Sequence, residues 1–299
     1  MKRDIMQKKS IFWLLVIASV AVGCANSVST PNTLMQKVTG LKTPESVVQA
    51  KDGRIFVSEI GEFGKDGDGK ITLIDKLGKT STFASGLDDP KGLAIIAGHL
   101  YVADKNKVLK ITPDGKASVF ANAEAFSSAL HGSPYFLNDL EADPQGNLYV
   151  SDSGDLFGTG LGGAIFKINT QGQVSLVVSA IQEPRLKAPN GLLADDTGDV
   201  LMMVDFTSGI LYSLDQKNKA VNDIAEGFGG GDGIVHHSNG TMYVSDWKNG
   251  KVFRVNTKGD VAVIKDGYQS AADIAITKDE KYLMVPDMKA GELDFIPLK

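Results

Sequence analysis

The heptapeptide Gly240-Thr-Met-Tyr-Val-Ser-Asp246 recurs, slightly altered, as Gly98-His-Leu-Tyr-Val-Ala-Asp104 and Gly146-Asn-Leu-Tyr-Val-Ser-Asp152. Looser copies end at Glu59, Asp205 and Asp287. Each copy is a small turn residue, an apolar-aromatic-apolar run and an acid, the pattern of a short β-strand leaving a turn. Upstream of each acid, at a near-constant 13 to 15 residues, stand Glu45, Lys91, Asn138, Asn190, Asp232 and Asp273. Short strands repeating every roughly 40 to 50 residues predict an all-β, six-bladed β-propeller. Equivalent residues of successive blades then meet around one axis, so these six polar side chains are expected to form a ring.

The blades are predicted to begin near Thr43, Pro90, Leu137, Pro189, Gly231 and Ala271, each ring residue lying just before the innermost strand. Further strands follow in most copies, among them Lys70–Ile74, Lys107–Ile111, Ala164–Ile168, Gly209–Ser213 and Lys251–Val255. Turns such as Pro113-Asp-Gly115 and Thr257-Lys-Gly259 lead onward, with Gly accepting positive φ at no steric cost. The last copy lacks an outermost strand, and Leu34–Val38 is predicted to supply it, closing the ring and removing an exposed sheet edge.

The chain has 299 residues, 42% hydrophobic and 22% charged, with a formal net charge of −5. This suits a globular domain, and the lack of a basic stripe argues against nucleic acid as a partner. Lys2, Arg3, Lys8 and Lys9 precede an apolar or small run from Ile11 to Val22, the pattern of a secretory signal. Ala21-Val22-Gly23-Cys24 resembles a bacterial lipobox, in which the cysteine is lipidated. Cys24 is the chain's one cysteine, so no disulfide can form within it. The expected organisation is a signal peptide over 1–23, a tether over 24–33 and the propeller over 34–299. The expected address is the cell envelope, with the lipid as the only membrane contact, at the periplasmic face of the outer membrane in a two-membrane cell. Ordinary cleavage nearby, leaving a soluble protein, is the alternative. A monomer is expected.

Glu45, Asp232 and Asp273 against Lys91 leave two net negative charges on the ring. Carboxylates clustered away from water either raise their pKa values or bind a cation. Oxygen ligands alone favour Ca²⁺ or Mg²⁺ over zinc, and Ca²⁺ accepts irregular geometry best. Two simpler arrangements compete with a metal. The ring polar groups can bond loops and buried water, or Lys91 can replace the cation by pairing with Glu45 or Asp273.

Four motifs in register with the repeats are Thr43-Pro-Glu-Ser46, Leu137-Asn-Asp139, Pro189-Asn-Gly-Leu192 and Gly231-Asp-Gly-Ile234. Through them the chain resembles the regucalcin/gluconolactonase (senescence marker protein) family of six-bladed propellers, whose relatives include diisopropylfluorophosphatase. The resemblance implies that Glu45, Asn190 and Asp232 coordinate a divalent cation, with Asn138 beside it to bind water or substrate. It also implies a base or nucleophile role for Asp232. Two positions depart from the family. Phe136 stands where sugar-lactone members carry Arg, which points to a more apolar ligand. Lys91 belongs to none of the matched motifs; it either steadies an oxyanion or makes a structural ion pair.

His131, in the loop before Asn138, is a candidate acid, base or substrate contact. His236 and His237 are expected at the surface or in packing, and Asp66-Gly-Asp-Gly69 is expected to be a turn, because the remaining positions of a calcium loop fail. The recurring acids are expected to make a repeated structural hydrogen bond, and Tyr101, Tyr149 and Tyr243 to pack between blades. Two functions follow as expectations: a metal-dependent lactonase or esterase acting on a small molecule, or a non-catalytic envelope propeller that binds a partner protein or small ligand around a structural ion.

Overall fold

The computed structural model describes residues 35–130, 134, 136–157 and 162–298. The expected signal segment and tether, Cys24, Leu34 and His131 lie outside the described residues. Six antiparallel sheets of four strands each make up the fold. Their innermost strands are Pro44–Gln49, Pro90–Ile96, Leu137–Ala142, Pro189–Ala194, Gly231–His236 and Ala275–Ile276. Five sheets are built from consecutive strands. The sixth runs Ala275–Ile276, Tyr282–Asp287 and Glu292–Pro297, and is completed by Val38–Thr39 from the other end of the chain. Val38 pairs with Leu293 and Thr39 with Glu292. The closing strand is thus shorter than the expected Leu34–Val38 segment and reaches one residue further on, ending before the positive-φ Gly40.

The repeated heptapeptide forms the second strand of its blade, and its burial explains its composition. In blade 2, Leu100 and Val102 pack with Phe56 and Ile71 of blade 1. The alternate residues Tyr101 and Ala103 pack with Leu137, Leu148 and Val150 of blade 3. Successive side chains of a strand face opposite sides, so one strand feeds two inter-blade cores and is apolar at every position. Outermost strands instead alternate, as Val261–Lys265 does. Tyr101, Tyr149 and Tyr243 are all buried in these layers, as expected.

The acid that ends each second strand binds the backbone leading into the innermost strand. Asp88 and Asp89 N–H donate to Asp104 (both 2.9 Å), and Lys187 and Ala188 N–H to Asp205 (both 2.8 Å). Gln269 and Ser270 N–H donate to Asp287 (2.9 and 3.0 Å), Gly230 N–H to Asp246 (2.9 Å), Phe136 N–H to Asp152 (2.8 Å) and Lys42 N–H to Glu59 (2.6 Å). The fixed sequence distance between acid and ring residue is the length of strand, turn and strand between the two ends of this contact.

The ring residues of the first five blades are the second residues of their innermost strands rather than residues preceding them. Register slips by one residue around each: between Pro44 and Val47, Pro90 and Leu93, Leu137 and Leu140, Pro189 and Leu192, and Gly231 and Ile234. A bulge of this kind breaks the pleat and re-aims a side chain, here at the axis. Glycine then permits close approach between blades. A Cβ at Gly191 would lie 2.3 Å from the Asp232 carbonyl oxygen, and one at Gly92 would lie 2.5 Å from Asp139 Cα.

A helix, Ala123–Leu130, joins blades 2 and 3. Asn122 caps it through the Ala125 N–H (3.0 Å), and Phe126 is buried edge-on against Phe166 at 5.1 Å. No described helix is long and apolar enough to cross a membrane.

Asp205 also accepts the N–H groups of Thr207 and Ser208, at 3.0 and 2.8 Å. Replacing it by Ala strands several donors around a buried site, so Asp205→Ala is expected to cost about 3 kcal/mol or more. Asp223→Ala, which removes a surface ion pair to Arg185, should cost less than about 1 kcal/mol. Urea midpoints of the two variants check the contrast.

Candidate functional site

Five of the six ring residues converge on one axial cavity, of about 350 Å³ empty volume: Glu45, Lys91, Asn138, Asn190 and Asp232. All five are 3–4% exposed. Asp273 is not among the lining residues. Its carboxylate accepts the Ser46 hydroxyl at 2.6 Å, and its N–H donates to the Glu45 carbonyl at 3.0 Å. Ala271 pairs with Asp287 as Pro44 pairs with Glu59 and Leu137 with Asp152, so the ring position of the sixth blade belongs to Ala272, and Asp273, one residue further on, is the counterpart of Ser46 and Asp139. The cavity itself therefore carries two carboxylates and one ammonium, one net negative charge rather than two.

The polar groups are positioned through one another. Asn190 Nδ2 donates to Asp232 Oδ1 at 2.9 Å. Asn138 Nδ2 donates to Ser153 Oγ at 3.1 Å, and that hydroxyl donates to the Pro189 carbonyl at 2.9 Å. These bonds leave Asn138 Oδ1 and Glu45 Oε2 buried without a hydrogen-bond partner among the described residues. Unpartnered buried oxygens are rare, and two lining one cavity mark a place where a donor or a cation belongs.

Lys91 does not supply that cation. Its ammonium donates to the Asp89 carbonyl at 3.0 Å and sits 4.5 Å from the centre of the Phe136 ring. No described carboxylate lies within 4.0 Å of it, so the ion pair with Glu45 or Asp273 does not form. Burial holds the Lys91 pKa below the ordinary lysine value, against the pull of Glu45. Burial first, then the charges of Asp232 and Asp273, raises Glu45 well above the usual carboxylate range. Asp232 is raised likewise, by burial and then Asp273. A set of acids in this state takes up a proton or a cation. No cluster of three or more His, Cys, Asp or Glu arranged for a metal occurs among the described residues. The candidate donors are instead two carboxylates and two amides, an oxygen set suited to a hard cation.

The expected structural readings elsewhere hold. His236 is exposed on the outer end of its strand, and His237 lies 3.7 Å from Glu280. The Asp66–Gly69 stretch is a turn leading into a strand.

The remaining lining residues were not expected, apart from Phe136: Phe63, Leu156, Phe157, Phe206, Trp247 and Met288. A signal for three of them was present. Phe206, Trp247 and Met288 each follow directly the recurring acids Asp205, Asp246 and Asp287, so the repeat that placed the polar ring places an apolar collar one residue beyond each acid.

Behind the ring, Glu141 accepts the Ala194 N–H at 3.1 Å, and burial raises its pKa from 4.5 to about 7. The folded state then holds a proton that the unfolded chain releases near 4.5, so stability falls as pH rises from there to about 7. Glu141→Gln is expected to remove this slope and raise the melting temperature in mildly alkaline buffer more than in mildly acidic buffer. Melting curves across that range check it; equal shifts on both sides would contradict it.

Comparison with known proteins agrees with the fold. The family model described as "SMP-30/Gluconolactonase/LRE-like region" matches residues 92–285, nearly two thirds of the chain. No curated protein matches. Among solved structures, regucalcin from Agrobacterium tumefaciens str. C58, described as a calcium-binding protein, aligns with a TM-score of 0.66 at 19% identity, covering 83% of this chain and 82% of that one. A chain of a nidogen/laminin complex aligns with a TM-score of 0.63 at 17% identity, covering 77% and 82%. At these identities both show the shared propeller alone. The matched family region takes in Asn138, Asn190 and Asp232, and the chain belongs to the SMP-30/gluconolactonase/LRE-like family.

Proposed function

We propose that the chain is a divalent-metal-dependent hydrolase of the lactonase or esterase type, acting on a small molecule at the axial cavity. The observation that carries the proposal is the pair of buried, unpartnered oxygens, Glu45 Oε2 and Asn138 Oδ1, lining one cavity with Asp232. Glu45, Asn190 and Asp232 would hold the ion, with Ca²⁺ the best fit to an all-oxygen set. When bound, such an ion polarises an ester carbonyl and stabilises charge on its oxygen.

The chain's own residues supply the remainder. Asn190 fixes Asp232 through Oδ1, so the carboxylate is oriented before substrate arrives. Asp232 takes the proton from the attacking water as the water oxygen bonds to the carbonyl carbon, or attacks that carbon itself. The carbonyl carbon–oxygen single bond then breaks, and the leaving alkoxide takes that proton from Asp232. After direct attack, a water instead cleaves the acyl–Asp232 anhydride, its oxygen staying on the acyl carbon, its proton passing to the alkoxide and Asp232 leaving as carboxylate. Asn138, held by Ser153, presents Oδ1 to the water or substrate. Lys91, anchored on Asp89 and Phe136, brings a positive charge to the cavity wall. Asp273 tunes the site from behind the ring rather than touching substrate. His131 remains a proposed substrate contact from the loop before Asn138. The proposed setting is the cell envelope, with Cys24 as lipid anchor.

A display module with a structural ion is the competing reading, and the exposed Phe157 at the mouth favours it (73% exposed). Purified full-length protein assayed on lactones, aryl esters and organophosphates, with and without chelator, separates the two. The hydrolase reading expects chelator-sensitive turnover that Asp232→Asn reduces at least about a hundredfold, with a cooperative melt retained. Full activity in that variant would sink the assignment of Asp232. An absence of turnover on every substrate, with melting unaffected by chelator, would favour the display module.

A further inference from the structure

Beyond the polar ring, one arc of the cavity wall is apolar. The residues following the six acids are Ile60, Lys105, Ser153, Phe206, Trp247 and Met288. Of these, Phe206, Trp247 and Met288 line the cavity, Ile60 is buried behind Trp247 and Met288, and Lys105 pairs with Asp66 at 2.6 Å. The apolar arc is continuous. The Phe206 and Trp247 rings are 6.1 Å apart, and Met288 clusters with Ile60 and Trp247. The Trp247 indole N–H donates to Met288 Sδ at 3.3 Å, so the one strong donor on this arc is occupied within the wall.

This arc does not stop at the cavity. A second, open hollow of about 1010 Å³ shares four wall residues with the axial cavity: Phe63, Phe157, Trp247 and Met288. It continues outward past Leu41 and Thr43, over the seam between blades 6 and 1. Phe63 and Phe157, 48% and 73% exposed, stand at the junction. Two exposed aromatic rings facing a trough that leads to buried carboxylates are costly to leave in water unless something covers them. A sugar-like ligand would need hydrogen-bonding groups along the trough. The four shared wall residues offer rings and a thioether, and the one charged side chain along the hollow, Lys289, has its ammonium 4.1 Å from the centre of the Trp247 ring.

We propose that the trough is an acyl-arm subsite, so that the substrate is an amphiphilic lactone or ester whose carbonyl sits on the polar ring and whose unbranched hydrocarbon arm lies along Trp247, Met288, Phe63 and Phe157. This deepens the hydrolase reading and rests on it for the chemistry at the carbonyl, but the trough can be tested by binding alone. Trp247 is the reporter: the chain has two tryptophans, and Trp13 lies in the signal segment.

The experiment uses the full-length Trp13→Phe protein, titrated with γ-butyrolactone, γ-octalactone and γ-dodecalactone, which carry no arm, a butyl arm and an octyl arm. Trp247 emission is read as occupancy and lactone hydrolysis is followed in parallel. Affinity is expected to rise about two- to fourfold per added methylene. A Phe63→Ser/Phe157→Ser double variant, altered only at exposed positions, should lose most of that dependence. Equal affinities for the three lactones, no response of Trp247 to any of them, or the same dependence in the double variant would overturn the subsite. Arm-dependent binding without turnover would uphold the trough and remove the hydrolase reading. Turnover without arm dependence would do the reverse.

Discussion

One hydrogen-bonding arrangement, repeated six times, sets the rest of this molecule. A carboxylate at the end of each second strand accepts backbone N–H groups of the segment entering the innermost strand. Those N–H groups lie where no sheet partner is available, and leaving each unpaired would cost about 1–3 kcal/mol. The clamp therefore fixes where each innermost strand begins. The bulge that follows decides where its second residue points. Ring geometry is thus a consequence of backbone satisfaction, and the polar residues of the cavity are held in place by the clamp at little cost of their own.

The ring is electrostatically unfinished. Glu45 and Asp232 are driven by burial toward their neutral forms, the one lysine among them is bonded elsewhere, and two oxygens lack partners. Protein interiors tolerate such a group when it belongs to a function. Under the proposed function, a hard divalent cation held by Glu45, Asn190 and Asp232 would restore the ionised carboxylates and give Glu45 Oε2 a partner, leaving Asn138 Oδ1 for water or substrate and Lys91 for other work. Asp273 adds to the field from behind, which raises the acids further without taking a place in the cavity.

Much of this was legible in the sequence, because a propeller writes its axis as a repeat. The register of Leu100-Tyr-Val102 against Leu148-Tyr-Val150 and Met242-Tyr-Val244 located the second strands, and counting back from the acids located five cavity residues. Asp273 falls one residue past the ring position, which Ala272 holds, because the count back from the acid varies from 13 to 15 residues and the sixth blade takes the longest spacing. The helix over Ala123–Leu130 was missed because one buried face of eight residues, anchored by Phe126, is too short to show a period, although Asn122 is a legible cap. The collar was missed for a different reason. The repeated phrase was taken to end at its acid, and residues that vary between blades look unrelated until the fold places Phe206, Trp247 and Met288 side by side.

The central claim is that the ring closes around a cation, and calcium titration of the full-length protein by calorimetry tests it most directly. The account predicts a single site that releases protons on binding, and that binds more tightly near about pH 8 than near about pH 6, because raised carboxylates must ionise to coordinate. It predicts that Glu45→Gln weakens that site sharply while the protein still melts cooperatively. No calcium uptake at either pH, or uptake that Glu45→Gln leaves unchanged, would contradict it.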